Sequence, residues 1–149
     1  LDRVVQLLGK TNQFNLTQKR YSAEKLKSIA DNVLIVRLRD RTQDYGIVSV
    51  VVTKVNNKHL EIDNWVMSCR VFSRRLEYAI QEMLIEKSKQ IGCHFISLKH
   101  QVTDRNGLLT NIICDLGYTF LDTNRYEIDV ESGYNFTEHY MKITTKELV

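Results

Sequence analysis

Between Asp44 and Val55 the chain reads DYGIVSVVVTKV, with five valines, an isoleucine and a threonine in twelve residues. β-Branched side chains are stiff about χ1 and crowd a helical turn, whereas a pleated strand accepts them readily. A strand this apolar has to lie well inside a sheet, and that requirement organises its neighbours. Just before it, NVLIVRLRDR sets Val36 and Leu38 against Arg37 and Arg39, the alternation of a strand with one wet face. Just after it, NNKH carries turn chemistry and LEIDNWVMS returns as a third strand. The three predict an antiparallel meander.

The period then changes. From Arg74 onward, Leu76, Ala79, Ile80, Met83, Leu84 and Ile91 fall on one helical stripe, and Gly92 stands where glycine commonly closes a helix. HFISL predicts a strand that includes His94. DRNGLLTNIICDLG predicts a second amphipathic helix with Leu108, Leu109, Ile112, Ile113 and Leu116 inward, ended by Gly117. YTFLDT and RYEIDV then predict a closing hairpin. Ahead of the meander, Asp2 to Leu8 reads as a short helix end with Val4, Val5, Leu7 and Leu8 on one side. Ser22 is placed to cap a second helix carrying Leu26, Ile29 and Ala30. The tail beyond Ser132 is polar and suggests no element. The resulting order is two helices, three strands, helix, strand, helix, two strands. It predicts an α/β (α+β) fold with a mixed, mostly antiparallel central sheet flanked by helices, not a repeating βαβ unit.

The 149 residues suit one domain, and the absence of proline, Gly/Ser-rich linkers and repeats leaves 1–149 undivided. The chain opens on Leu1, inside an apparent helix, which gives the expectation of a domain excised from a longer protein. With 21 basic and 18 acidic residues the net charge of +3 makes no case for nucleic acid. No apolar run approaches the ~18 residues of a membrane helix. Cys69, Cys93 and Cys114 show no C-x-x-C pair, and His59, His94, His100 and His139 show no ligand spacing, so no metal is expected. Sparse, unpaired cysteines suit a reducing, cytoplasmic compartment and are expected to be small buried hydrophobes, Cys69 included.

A strand followed by RVFSRR, a helix and then N…LGY resembles the GNAT acyltransferase fold. In that family a strand ends in an R/Q-x-x-G-x-G/A loop that leads into a helix. The free N–H groups and dipole of that helix grip the pyrophosphate of acyl-coenzyme A. RVVQLLGKTNQFNLT, MSCRVFSRRLE and N…LGY together are similar to the C-terminal region of FkbH-like proteins, from Arg3 to about Phe120. That resemblance implies an upstream haloacid-dehalogenase-type domain. It also implies a part in loading a glyceryl unit from 1,3-bisphosphoglycerate onto an acyl carrier protein, toward methoxymalonyl or related polyketide units. The main chemistry would lie upstream, and this domain would recognise phosphopantetheine, coenzyme A or an acyl group while being catalytically silent alone. Two other readings stay open: an active acyl-coenzyme A-dependent N-acyltransferase, and a non-catalytic module that binds the upstream domain.

The resemblance places Arg70, Ser73, Arg74, Arg75 and Asn106 at the cofactor. Ser73 stands where the pattern has glycine, Arg75 where it has glycine or alanine, and Ile113 where acetyltransferases have a proton-donating tyrosine. The arginines flank a helix start, where the dipole disfavours cations, so they either face water at a small cost or share an anion with the N–H groups. Ser73 has an alternative role as an N-cap. Glu61 and Asp63 share one face of the third strand and are the candidates for a general base, with solvated carboxylates as the plainer account. Trp65 and Met67 are expected in the core. In KTNQFNLT, six polar residues surround Phe14. Lys10, Asn12, Gln13 and Asn15 either recognise a substrate or tie this turn to another domain, with Phe14 as the apolar anchor.

Overall fold

A computed structural model describes residues 1–132 and 137–144. The elements follow the expected order: helices α1 (Asp2–Lys10) and α2 (Ala23–Ser28), then strands β1 (Val33–Arg39), β2 (Asp44–Asn56) and β3 (His59–Met67). Helix α3 (Leu76–Gln90), strand β4 (Phe95–Lys99), helix α4 (Leu108–Asp115) and the hairpin β5 (Thr119–Asp122) and β6 (Arg125–Asp129) complete the fold. The sheet has six strands in the order β1-β2-β3-β4-β6-β5. Every neighbouring pair is antiparallel except β3 and β4, whose parallel arrangement requires the crossover that α3 supplies.

Both faces of the valine-rich strand are covered. Val48 and Val51 join Leu60, Ile62, Trp65 and Met67 under α3 and α4, while Val50, Val52 and Val66 meet Val4, Leu7 and Leu8 of α1 and Leu26 of α2. The Ser22 hydroxyl accepts from the Lys25 N–H, as a cap should, and Gly92 closes α3 at φ 78°. Three local expectations need correction. Ile91 is 46% exposed because α3 ends at Gln90, before the stripe reaches it. His94 precedes β4 instead of lying in it. Cys69 is exposed in a 3₁₀ turn, Cys69–Val71, so only Cys93 of the three is a buried hydrophobe. Part of the polar tail beyond Ser132 lies outside the described residues.

Two irregularities shape the centre of the sheet. Opposite β2, Val52 pairs with Asn64 but Thr53 pairs with Ile62, so Asp63 is an extra residue, a β-bulge. The bulge changes the parity of β3, which lets Leu60 and Ile62 share a core with Trp65 and Met67. The second irregularity is the short reach of the β3–β4 pairing, which runs only from His59 opposite Phe95 to Ile62 opposite Leu98. Past that point the strands part.

Candidate functional site

What fills the parting strands is the segment Phe14–Asn15–Leu16. The Leu16 N–H donates to Trp65 O (3.1 Å), the Met67 N–H donates to Phe14 O (3.0 Å), and the Gln101 N–H donates to Leu16 O (2.9 Å). Phe14, 1% exposed, packs its ring 5.2 Å from that of Trp65. Asparagine side chains fix the insert. Asn64 donates to Asn15 Oδ1 (3.0 Å), and Asn106 donates to Asn15 O (3.0 Å) and Gln101 O (2.8 Å). Asn106 Oδ1 accepts from the Thr103 N–H at 2.7 Å. The carbonyl of the bulged Asp63 accepts from the Thr17 hydroxyl (2.8 Å). Such pairing is obligatory at this depth, because a buried amide without a partner costs about 1–3 kcal/mol. Asn15 and Asn106 are thus consumed by internal bonds, and neither presents an amide to a ligand.

The loop from β3 to α3 has the opposite character. Ser73 and Arg75 adopt φ of 66° and 64°, the left-handed region, at the positions where the pattern has glycine and glycine or alanine. For a residue with a Cβ each such conformation costs roughly 1–2 kcal/mol. Among the described residues, no acceptor is found for the backbone N–H groups of Ser73, Arg74 or Arg75. The first-turn N–H groups of Leu76 and Glu77 lie outside the ladder of α3, as in any helix. A run of unbonded N–H groups at left-handed residues, set at the head of a 15-residue helix, is a concavity suited to phosphate. Ser73 does not cap α3; Arg75 occupies the N-cap position, with no side-chain cap bond.

The arginines do not converge on this concavity. Arg70 reaches back to Tyr45 O (3.2 Å), and Arg74 donates to the Tyr45 hydroxyl (2.6 Å), stacks over its ring and pairs with Asp40 at 3.3 Å. Asp40 is held down to about 2 by the N–H and hydroxyl of Thr42, with help from Gln43 and Arg74. Arg75 donates to Glu138 O (2.8 Å) and lies 5.9 Å from the Tyr140 ring, beside the His139–Glu82 contact. Three guanidinium groups therefore brace the loop from two sides while its backbone faces outward.

Two cavities open near these features. One, of about 590 Å³, lies over Glu61, Asp63, His59 and Ser97. Asp63 pairs with Lys19, accepts from the Tyr21 hydroxyl (2.6 Å) and lies 3.7 Å from Lys54. Burial alone would raise its carboxyl, but the bonds from Lys19 and Tyr21 and the two lysine charges outweigh that and hold it below the ordinary value. Glu61 is bound by Asn56 (3.2 Å) and Lys54 (3.5 Å). Both carboxylates are engaged, and Asp63 is poised as an ion more than as a proton acceptor. His59 shares a hydrogen bond with Ser97 (3.0 Å). His100 is buried with neither ring nitrogen bonded, and burial pushes its imidazole below the usual range; it is a core residue, not one beside a cleft.

The other cavity, of about 650 Å³, is a cleft between α1 and the loop that follows β3. Lys10, Asn12 and Gln13 line it together with Arg3, Ser68, Cys69, Phe72 and Arg105, so three of the four residues singled out in KTNQFN meet here. Arg3 and Lys10, seven apart, share a helical stripe and could have been paired from spacing alone. Arg105 could not, because its position depends on the Asn106 clamp. Among the described residues no group of His, Cys, Asp and Glu could hold a metal, and no helix is long and apolar enough to cross a membrane.

No family model matches the chain, and no curated protein does. Solved structures do. The ribosomal-protein-S18-alanine N-acetyltransferase from Escherichia coli superposes with a TM-score of 0.63 over 95% of this chain and 92% of its own, at 12% identity. The GNAT domain of S. lividans PAT gives 0.63 over 86% and 84%, at 13% identity. A Mycobacterium tuberculosis protein solved in complex with CoA gives 0.64 over 81% and 67%, at 12% identity. The fold is that of the GNAT acetyltransferases.

Proposed function

We propose that this domain is of the acyltransferase type and binds the phosphate end of a thioester handle, coenzyme A or phosphopantetheine, at the head of α3. The carrying observation is the pair of left-handed residues Ser73 and Arg75, which keep a glycine-type backbone at a cost in strain and leave a row of N–H groups unbonded. Strain retained beside unbonded donors is what a ligand site accounts for. More finely, the domain is the GNAT-like C-terminal part of an FkbH-like protein, serving the loading of a glyceryl-type unit onto an acyl carrier protein. The motifs KTNQFNLT and MSCRVFSRRLE support that assignment. Its phosphoryl and thioester steps belong to an upstream haloacid-dehalogenase-type domain in the same cytoplasmic protein.

The residues fit the phosphate end of the handle well. They fit an extended pantetheine arm less well along β3, because the edge that would pair with its amides is taken by Phe14 and Leu16. Coenzyme A supplies an activated thioester when bound; this chain's own backbone N–H groups hold its anionic end.

Calorimetric titration with coenzyme A and with a phosphopantetheinylated carrier protein tests the reading. Ser73→Pro, which fixes φ near −65° and destroys the concavity, should abolish binding, while Ser73→Gly should keep it. Equal binding by the proline variant, or no binding by the parent, overturns it.

A second reading, an active acyl-coenzyme A-dependent N-acyltransferase, is favoured by the CoA-bound protein that shares the fold. Against it, Ile113 is 2% exposed in the α3-side core and offers no proton to a departing thiolate. Acetyl transfer to an amine, lost on Glu61→Gln or Asp63→Asn, would select this second reading.

A further inference from the structure

We infer that the cleft between α1 and the β3–α3 loop is an anion site, built from Arg3, Lys10 and Arg105, and that the acyl group it receives carries a negative charge. Some cations are spent on carboxylates: Lys19 and Lys54 on Asp63, Arg74 on Asp40, and Arg125 on Asp122. Among the described residues, Arg3, Lys10 and Arg105 have no carboxylate at ion-pair distance, although Asp104 lines the same cleft. Arg3 is steadied by Gln6 Oε1 at 3.0 Å, which leaves the rest of its guanidinium fork free.

The placement is fixed, not incidental. Arg3 and Lys10 project from one stripe of α1, whose other face is locked by Val4, Leu7 and Leu8 against the sheet. Arg105 faces them from a loop that the fully buried Asn106 ties to Asn15, Gln101 and Thr103. Among the described residues the Asn12 and Gln13 carboxamides, which line the cleft, have no hydrogen-bond partner and are ready for hydroxyl or carboxylate oxygens. Three cations against one carboxylate, with polar donors between them, suit a carboxylate or phosphate and reject a bare hydrocarbon.

The cleft also has the right neighbour. Ser68, Cys69 and Phe72 form its wall, and the next residues, Ser73 to Glu77, present the unbonded N–H groups. With the β3–β4 gap filled by Phe14–Leu16, this cleft adjoins the head of α3 through Phe72. The inference rests on the proposed thioester reading for the handle, but not for the anion.

The test compares acetyl-coenzyme A with malonyl-coenzyme A by calorimetry on the whole chain. Malonyl-coenzyme A should bind at least about tenfold more tightly, one charge-assisted bond's worth. Arg3→Gln with Arg105→Gln should erase that preference and leave acetyl-coenzyme A binding unchanged. Equal affinities in the parent, or a preference that survives in the double variant, overturn the inference while the handle reading stands. If neither ester binds, the handle reading fails, and free malonate decides the cleft by itself. Heat of malonate binding that disappears in the double variant upholds the anion site, and its absence from the parent removes it.

Discussion

The gap between β3 and β4 and the head of α3 lie within a few residues of one another, yet they treat polar groups in opposite ways. In the gap, Asn15, Asn64 and Asn106 are buried and spend their amides on the chain itself. At the head of α3, Ser73 and Arg75 are exposed, hold a strained backbone and leave N–H groups unbonded. A run of amides in a sequence therefore need not mark a binding site. When each is satisfied from within, the cluster is architecture. The place to look for a ligand is where satisfaction is withheld and strain is tolerated.

Substitutions can break or sharpen this contrast. Phe14→Ala should have the largest effect, about 3–5 kcal/mol in urea-induced unfolding, because the ring is fully enclosed against Trp65 and Phe72. A loss below about 1 kcal/mol would mean the insert is loosely held and the gap able to open. Asn106→Ala should cost about 2–3 kcal/mol by the same measurement, since Asn15 O and Gln101 O each lose a donor. If it left stability unchanged, the amide network would lose its structural role. At the other region the sign reverses. Ser73→Gly or Arg75→Gly should stabilise by about 1 kcal/mol each, because glycine accepts the left-handed backbone without a Cβ penalty. Destabilisation by both would show that no strain is stored there.

The smallest effect is electrostatic. Asp63 is held below its unfolded value, so its contribution to stability is present above about pH 4 and fades as pH falls through the folded value. Thermal unfolding from pH 7 to pH 3 should show this acid loss in the parent and a shallower one in Asp63→Asn. The difference should stay within about 1 kcal/mol, because Lys19 and Lys54 are half exposed.

Much of the framework was legible in the sequence because the elements carry strong periods. The β-branched run marked β2, the stripe from Leu76 to Leu84 marked α3, and Gly92 marked its end. Trp65 and Met67 read correctly as core. The bulge at Asp63 was hidden, because alternation from Leu60 to Asp63 gives no sign that parity changes one residue later. The pairing of Phe14–Leu16 with β3 was hidden for a different reason: it joins residues about fifty positions apart through backbone atoms, which sequence pattern does not display. Cys69 was expected to be buried because cysteines usually are, but the 3₁₀ turn after β3 carries it outward. The orientation of Arg70 and Arg74 depended on Tyr45 and Asp40, partners that helix-start chemistry alone did not suggest.

The inserted segment also sets a timetable. Leu16 bonds to Trp65 and to Gln101, so a residue made early must wait for two others synthesised much later. Loop closure over such separations is slow relative to local helix or hairpin formation. Until both partners have emerged, Phe14 and Leu16 remain exposed and sticky, and a growing chain at this stage has an unprotected seam through the middle of its sheet. A nascent chain halted short of Gln101 would keep Leu16 without that partner and would be a natural target for holding factors.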